Sequence, residues 1–518
     1  MQRTAGQFAS ERWSFTFRTL ALWALAFAGY VLTLQFVYPK FFAPFSPFHG
    51  DMYIAVDLAA RGLRPIDALF QSRPISLLIG LFGGYLGVEG SLVVFAAVTL
   101  LAIALSVAVA ERCLLRTRIP WWLALATMMF AMAGPSFYAV PGNDNGTPIA
   151  MIFGLLGMYC WETRVRARTA FAAAALFFCL STLSKEGFLP VIGVYAIVAA
   201  YRARSSRRLM IASLALPVIA FAAAFFDSQF FHSPYVNLGS GTPGPYAVSL
   251  NPVRVLGTFW YYFSAIVNVW VLGFLALCCL GAWLQHRGRE AAFVVAASLA
   301  AYLPYAMLPN HRLGYYAWVP MPIVMLLIPL AWIRNPAAQD GAPALSPARR
   351  TALVQFTRVA LAVSFFFALQ SLSAINMEGG AWTIQQQSIN RNVLRGIRLA
   401  ESQTAVSKSV LVCGLSFAFH PWHHGEFLAD NLRPGGMWTI ATHAPGAPIG
   451  PQPHTQPIAY EAIHWRDYDL VLIFDGGGQL VGTYRPSEIE ALSKRLHLDR
   501  GSPLDVIMAL RNGTAVIR

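Results

Sequence analysis

An α-helical polytopic membrane bundle of about eleven transmembrane helices, followed by a C-terminal α/β domain, is the fold class this sequence predicts. Three observations predict it: an apolar composition, apolar runs long enough to span a bilayer, and arginines that recur on alternate sides of those runs. Of 518 residues, 56% are hydrophobic and only 12% are charged, whereas a soluble domain is about a quarter charged. Mean hydropathy is +0.52. The net charge of +14 is of a size that nucleic-acid binders carry, but in a membrane protein the same excess gathers in cytoplasmic loops.

Spans of roughly 15 to 22 residues are placed at Arg18–Tyr38, Ser91–Ala110, Pro120–Ala139, Thr147–Trp161, Thr169–Leu183, Gly187–Tyr201, Arg208–Phe226, Tyr262–Leu284, Glu290–Leu308, Tyr315–Ile333 and Thr351–Leu372. The apolar stretch Pro74–Gly87 is short and glycine-rich and reads as an interfacial helix. With the N-terminus cytoplasmic, the inner connections carry Arg3, Arg12 and Arg18, then Arg112, Arg116 and Arg118, then Arg164, Arg166 and Arg168. Further inner arginines are Arg202, Arg204, Arg207, Arg208, Arg287, Arg289, Arg334, Arg349 and Arg350. The outer connections are poorer in cations, which is the positive-inside bias. It accounts for the basic charge without nucleic acid, and the odd number of spans puts the C-terminal region outside. A cell inner (plasma) membrane location follows. No cleavable signal is expected, because the first apolar run is long enough to span.

Two outer loops are long, about Pro39–Gly90 and about Asp227–Tyr261. The inner loops hold few chemical groups, so chemistry is expected on the outer face. Residues 1–374 read as the transmembrane catalytic module and residues 375–518 as an extracytoplasmic domain. In the latter, Trp382–Glu401 reads as an amphipathic helix with Ile389, Val393, Ile397 and Ala400 on one face. Ser409–Cys413 and Tyr468–Phe474 read as buried strands. Ser487 with Glu490 reads as a capping box opening a helix through Leu498. Asp505–Leu510 and Thr514–Ile517 flank the hairpin signal Asn512, Gly513. The six cysteines suggest no disulfide framework.

Ionisable groups recur beside helix ends on the outer face. The first loop carries Asp51 and Asp57, with Arg73 ahead of Pro74. Later connections carry Asp144, the pair Lys185 and Glu186, and His311 and Arg312 ahead of Tyr315 and Tyr316. Charged groups at membrane depth are costly and mark function, although an acid such as Asp51 or Asp57 also serves as a helix cap or a solvated loop residue. The run His420 to His424 lacks the three or four converging ligands a zinc site requires. Gly476, Gly477 and Gly478 lack dinucleotide-loop spacing and read as a loop.

The order of these groups, a Gly50–Asp51 start followed by Asp57, Ala59 and Gly62, then Ser184, Lys185, Glu186 and Gly187 between two helices, then His311, Arg312, Tyr315 and Tyr316 before a late helix, resembles the GT-C superfamily of integral-membrane glycosyltransferases, in particular its mannosyltransferase-like members. The resemblance covers about residues 15–335. It implies a polyprenyl-phosphate-linked sugar donor and a glycan, lipid or protein acceptor, with membrane lipids around the bundle. It implies Asp51 as catalytic base and Lys185, His311, Arg312 and Arg73 as cations facing the donor phosphate. Asp57, Asp144, Glu186, Tyr315 and Tyr316 would support the acceptor side. Members of the superfamily work with or without a divalent metal, and Asp51 and Asp144 are the residues that could hold one. The competing readings are a transporter or lipid-linked oligosaccharide flippase, which would place acids within helices near the midplane, and a polysaccharide polymerase or ligase.

Overall fold

The fold was taken from a computed structural model. It describes residues 5–32, 62–70, 73–134, 146–163, 167–230, 248–310, 314–334, 347–403, 410–413, 469–475 and 477–495, with residues 58, 59, 137, 140, 144, 312, 454, 455, 509 and 510. The chain divides into two compact units. One comprises Met1–Thr33, Leu69–Leu77 and Ala96–Gly380, and the other Leu34–Ala68, Leu78–Phe95 and Ala381–Arg518.

The helices in chain order are α1 (Ala5–Leu32), α2 (Pro74–Tyr85), α3 (Gly87–Val109), α4 (Trp121–Met132), α5 (Gly146–Glu162), α6 (Ala167–Ser184), α7 (Leu189–Arg202), α8 (Arg207–Phe230), α9 (Pro252–Ile266), α10 (Val269–Leu284), α11 (Gly288–Ala306) and α12 (Pro347–Gln403). Among the described residues, five helical segments are long and apolar enough to cross a membrane: Phe15–Leu32, Gly90–Leu115, Ala167–Ser184, Arg207–Asp227 and Thr351–Ile375. The bent pair α9 and α10 makes a sixth if counted as one span. The protein is thus a multi-pass membrane protein, and among the described residues fewer than the expected eleven spans reach full length. Length is one reason: α5 has 17 residues and α7 has 14, against the roughly 20 needed to cross the hydrocarbon core. Within the stretch Pro74–Gly87, expected to be an interfacial helix, the structure has α2, a short apolar helix.

Three expected spans have a different form. Tyr262–Leu284 is not continuous, because α9 and α10 meet at 92°. Asn268 is extended, and its side chain accepts from the Trp270 and Val271 amides, so a new helix starts there. The helices around the loop expected at about Asp227–Tyr261 reach further in than expected: α8 runs past Asp227 to Phe230, and α9 starts at Pro252 behind its own Asn251 cap. Tyr315–Ile333 is broken into a 3₁₀ segment Gly314–Trp318 and two short helices, Met321–Val324 and Leu327–Trp332. Pro320, Pro322 and Pro329 remove amide donors along this run. Thr351–Leu372 is part of the 57-residue α12, which absorbs the expected amphipathic helix, so the expected boundary at residue 374 falls inside a helix.

Within the first unit, arginines expected in inner loops are partly structural. Arg18 Nε donates to both oxygens of Glu111 at 2.7 and 2.8 Å, and its guanidinium also reaches the Ile119 carbonyl. Arg287, almost fully buried, donates to the carbonyls of Leu115, Ile333 and Arg334. Each ties the ends of neighbouring helices by satisfying backbone acceptors that have no partner within their own helix.

The second unit holds a four-stranded sheet of β1 (Val410–Cys413), β2 (His454–Thr455), β3 (Leu470–Phe474) and β4 (Leu480–Tyr484), in the order β2-β1-β3-β4. β1 is parallel to β2 and β3, and β3 is antiparallel to β4. β3 is buried along its whole length, as a continuous apolar run requires when both faces are covered. Ile389, Val393, Ile397 and Ala400 of α12 are buried. A Cβ on Gly396 would lie 2.6 Å from the Phe474 ring, so helix and sheet approach at a glycine. Between β3 and β4, Asp475 Oδ1 accepts from the Gly477 and Gln479 amides and Gly478 takes φ +74°. Strand β4 was not expected from its sequence. Helix α13 is Pro486–Arg495. Its N-terminal box uses Glu488, which accepts from the Arg485 amide at 2.6 Å, in place of the expected Ser487 and Glu490. Residues 509 and 510 are helical where a strand was expected. Residues 512 and 513, the His420–His424 run and residue 476 lie outside the described residues.

Candidate functional site

The connection between α6 and α7 builds the site. Ser184 ends α6, Lys185 is extended (φ −166°, ψ 132°), and Glu186 opens a single 3₁₀ turn. An extended residue sends its side chain away from that of its neighbour. Lys185 goes inward and Glu186 stays half-exposed.

Lys185 Nζ lies 2.7 Å from Asp144 Oδ2, and both side chains are buried. Asp144 also accepts from the Thr147 amide at 3.0 Å and from Thr147 Oγ1 at 2.7 Å, so it caps the start of α5. Thr147 Oγ1 is 2.9 Å from the Tyr305 hydroxyl on α11. The Tyr305 and Tyr316 rings stack at 4.1 Å. Lys185 Nζ sits 5.5 and 5.0 Å from their centroids, within cation–π range. Burial works against a charge on Lys185, but the Asp144 carboxylate together with Tyr305 and Tyr316 outweighs it and holds the ammonium well above the ordinary lysine value. Two glycines make room for this packing. A Cβ on Gly146 would meet Lys185 Cδ at 3.2 Å, and one on Gly187 would meet the Tyr305 hydroxyl at 2.5 Å.

Glu186 pairs with the other predicted cation. Arg73 Nη2 donates to Glu186 Oε1 at 2.7 Å. Burial would raise the Glu186 pKa, but Arg73 draws it below the usual value. Arg73 itself has φ +55°, unusual for a residue with a side chain. Its amide donates to Asp227 Oδ2 at 3.3 Å. Ser76 Oγ donates to the Ser184 carbonyl at 2.6 Å, which fastens the start of α2 to the end of α6.

Arg312 is exposed and lies 5.7 Å from the Tyr261 ring. Tyr261 touches Tyr262, Tyr262 meets Tyr316 edge-on at 6.2 Å, and Tyr316 lies beneath Lys185. The structure therefore brings together Arg73, Asp144, Lys185, Glu186 and Tyr316, and connects Arg312 to them through aromatic rings. Asp51, Asp57 and His311, with the side chain of Tyr315, lie outside the described residues. Among the described residues, no group of three His, Cys, Asp or Glu side chains is placed to hold a metal ion.

Sequence reasoning missed Thr147, Tyr305 and Asp227. The Asp144–Thr147 spacing of three is an N-terminal capping pattern and was readable. Tyr302 and Tyr305, three apart on α11, share a helix face. Asp227 closes an apolar run and carried no local signal beyond that.

No family model matches the chain, and no curated protein matches it. Among solved structures, the fold is similar to the crystal structure of ArnT from Cupriavidus metallidurans bound to undecaprenyl phosphate, with a TM-score of 0.45 and 14% identity over 82% of this chain and 85% of that one. It is also similar to ArnT from Cupriavidus metallidurans in the apo state, with a TM-score of 0.43 and 14% identity over the same shares.

Proposed function

We propose that this protein is a membrane glycosyltransferase that takes a sugar from a polyprenyl-phosphate-linked donor and passes it to an acceptor at the extracytoplasmic face. The observation that carries the reading is the pairing at consecutive residues. Lys185 is held by Asp144 at 2.7 Å and Glu186 holds Arg73 at 2.7 Å, so at the end of α6 two cations are each oriented by an acid. An oriented cation pair beside apolar helices suits an amphipathic anion, a phosphate on a hydrocarbon tail. Cations fixed in advance also stabilise the negative charge that gathers on a departing phosphate without reorganising during reaction. The Lys185 ammonium keeps its proton at neutral pH through its acid partner.

In this reading Asp51 takes the proton of the acceptor hydroxyl as it attacks the anomeric carbon. The bond from that carbon to the phosphate oxygen breaks, and the lipid phosphate leaves toward Arg73 and Lys185. Arg312 serves the entrance. Residues 1–374 form the catalytic module, and residues 375–518 form an extracytoplasmic α/β domain. The paired acids sit in connections between helices, outside helix interiors, which favours an enzyme over a transporter.

Membranes containing the protein are incubated with a labelled polyprenyl-phosphate sugar, and labelled product is followed against membranes containing Lys185→Met. Transfer lost in the variant supports the reading. Equal label in both, or in membranes lacking the protein, sinks it. Mass spectrometry of surface glycans in a deletion strain then identifies sugar and product.

A further inference from the structure

Asp227 stands beside this site with an unmet need. It is 7% exposed. Its Oδ2 accepts the Arg73 amide at 3.3 Å, a long bond. Its Oδ1 is buried and has no hydrogen-bond partner among the described residues. Buried carboxylate oxygens without a donor are uncommon in native proteins and cost more than a typical bond gains. Such an oxygen calls for a donor supplied by something else.

Three chain segments converge there. Arg73 precedes α2, Glu186 follows α6, and Asp227 is near the end of α8. Arg73 joins them, through its side chain to Glu186 and through its amide to Asp227. A cation held for a phosphate therefore has a buried, underused carboxylate attached to its own backbone.

We propose that Asp227 Oδ1 receives a hydrogen bond from a hydroxyl of the donor's sugar, so that Arg73 and Lys185 hold the phosphate while Asp227 reads the ring attached to it. The assignment rests on the function proposed above. Covalent geometry supports it, because the phosphate is bonded to the anomeric carbon and the ring hydroxyls follow within a few bonds. A neutral hydroxyl also suits a buried oxygen better than a metal ion, since it satisfies the acceptor without bringing a bare charge beside the Arg73 guanidinium.

The test uses the full chain in detergent and two probes, bare undecaprenyl phosphate and undecaprenyl phosphate carrying a single hexose or pentose. The proposal expects the wild-type protein to bind one of the sugar-bearing lipids at least about tenfold more tightly than the bare lipid. In Asp227→Asn that advantage shrinks to about one, on the scale of one charge-assisted bond, while affinity for the bare lipid is unchanged. An advantage that survives in Asp227→Asn, or that wild type lacks, overturns the proposal and leaves the function standing. A wild-type protein that binds neither probe overturns the function itself, and this assignment with it. Should Asp227→Asn fail to fold by size exclusion, the ratio is read on Asp227→Glu, whose oxygens are displaced by one methylene, and a retained advantage overturns the proposal.

Discussion

Lys185 Nζ lies 2.7 Å from Asp144 Oδ2, with both groups buried and the ammonium facing the stacked rings of Tyr305 and Tyr316. Removing one partner of a buried pair leaves the other charged and unsolvated, which costs about 3–5 kcal/mol. Lys185→Met and Asp144→Asn should each lower the detergent melting temperature, and the double variant should lose less than the sum. A thermal double-mutant cycle in detergent measures the coupling. Strict additivity would show that the two charges act independently.

The Arg73–Glu186 pair should behave otherwise, because both side chains are partly solvated. Its stability contribution is below about 1 kcal/mol after solvent screening. Glu186→Gln should therefore melt near wild type while sugar transfer falls at least about tenfold through misplacement of Arg73. The sign with pH follows from the lowered Glu186 pKa. The pair's contribution is present above the ordinary value of 4.5 and fades as pH falls below it. The small melting difference between wild type and Glu186→Gln should be flat from about pH 8 to 5 and vanish under stronger acid.

A methyl group at Gly187 has no room. Its Cβ would lie 2.5 Å from the Tyr305 hydroxyl, and the Tyr305 ring is stacked on Tyr316. Gly187→Ala should push Tyr305 from Thr147 and cost about 1–3 kcal/mol. Gly193→Ala on α7 is the control, since nothing lies within 4 Å of its Cβ, and it should be neutral or stabilising by up to about 1 kcal/mol. Melting of the two variants side by side decides the point.

Asp51→Asn should abolish sugar transfer, by at least about a hundredfold, with normal insertion and protein level. Asn keeps the volume and still caps a helix, so a merely structural Asp51 would leave turnover intact. Asp57→Asn, assayed in the same membranes, should stay within a few-fold of wild type.

Alkaline phosphatase fused after Arg518 should be active and a cytoplasmic reporter at that position silent, as the arginine distribution requires. The reverse pattern would place every proposed site on the inner face.

By itself the sequence determined the membrane character, the location of most helices and the identity of the paired acids and bases. Apolar runs and arginine clusters are local signals, and α3, α5, α6 and α8 lie within a few residues of their expected limits. The buried face of Ile389, Val393, Ile397 and Ala400 was legible for the same reason, since helical period is written in spacing. Only tertiary structure decided that Asn268 turns the chain by 92°, because an asparagine inside an apolar run caps a helix only where it also meets a partner, here Ser371 Oγ at 2.6 Å. Only tertiary structure decided which charges pair. Lys185 and Glu186 are adjacent in sequence, yet one meets Asp144, 41 residues away, and the other Arg73, 113 residues away. Pairing across such separations is set by how helices pack, and that leaves no periodic mark on the chain. Asp227 was invisible for this reason, as its significance lies in its neighbour Arg73, 154 residues away along the chain.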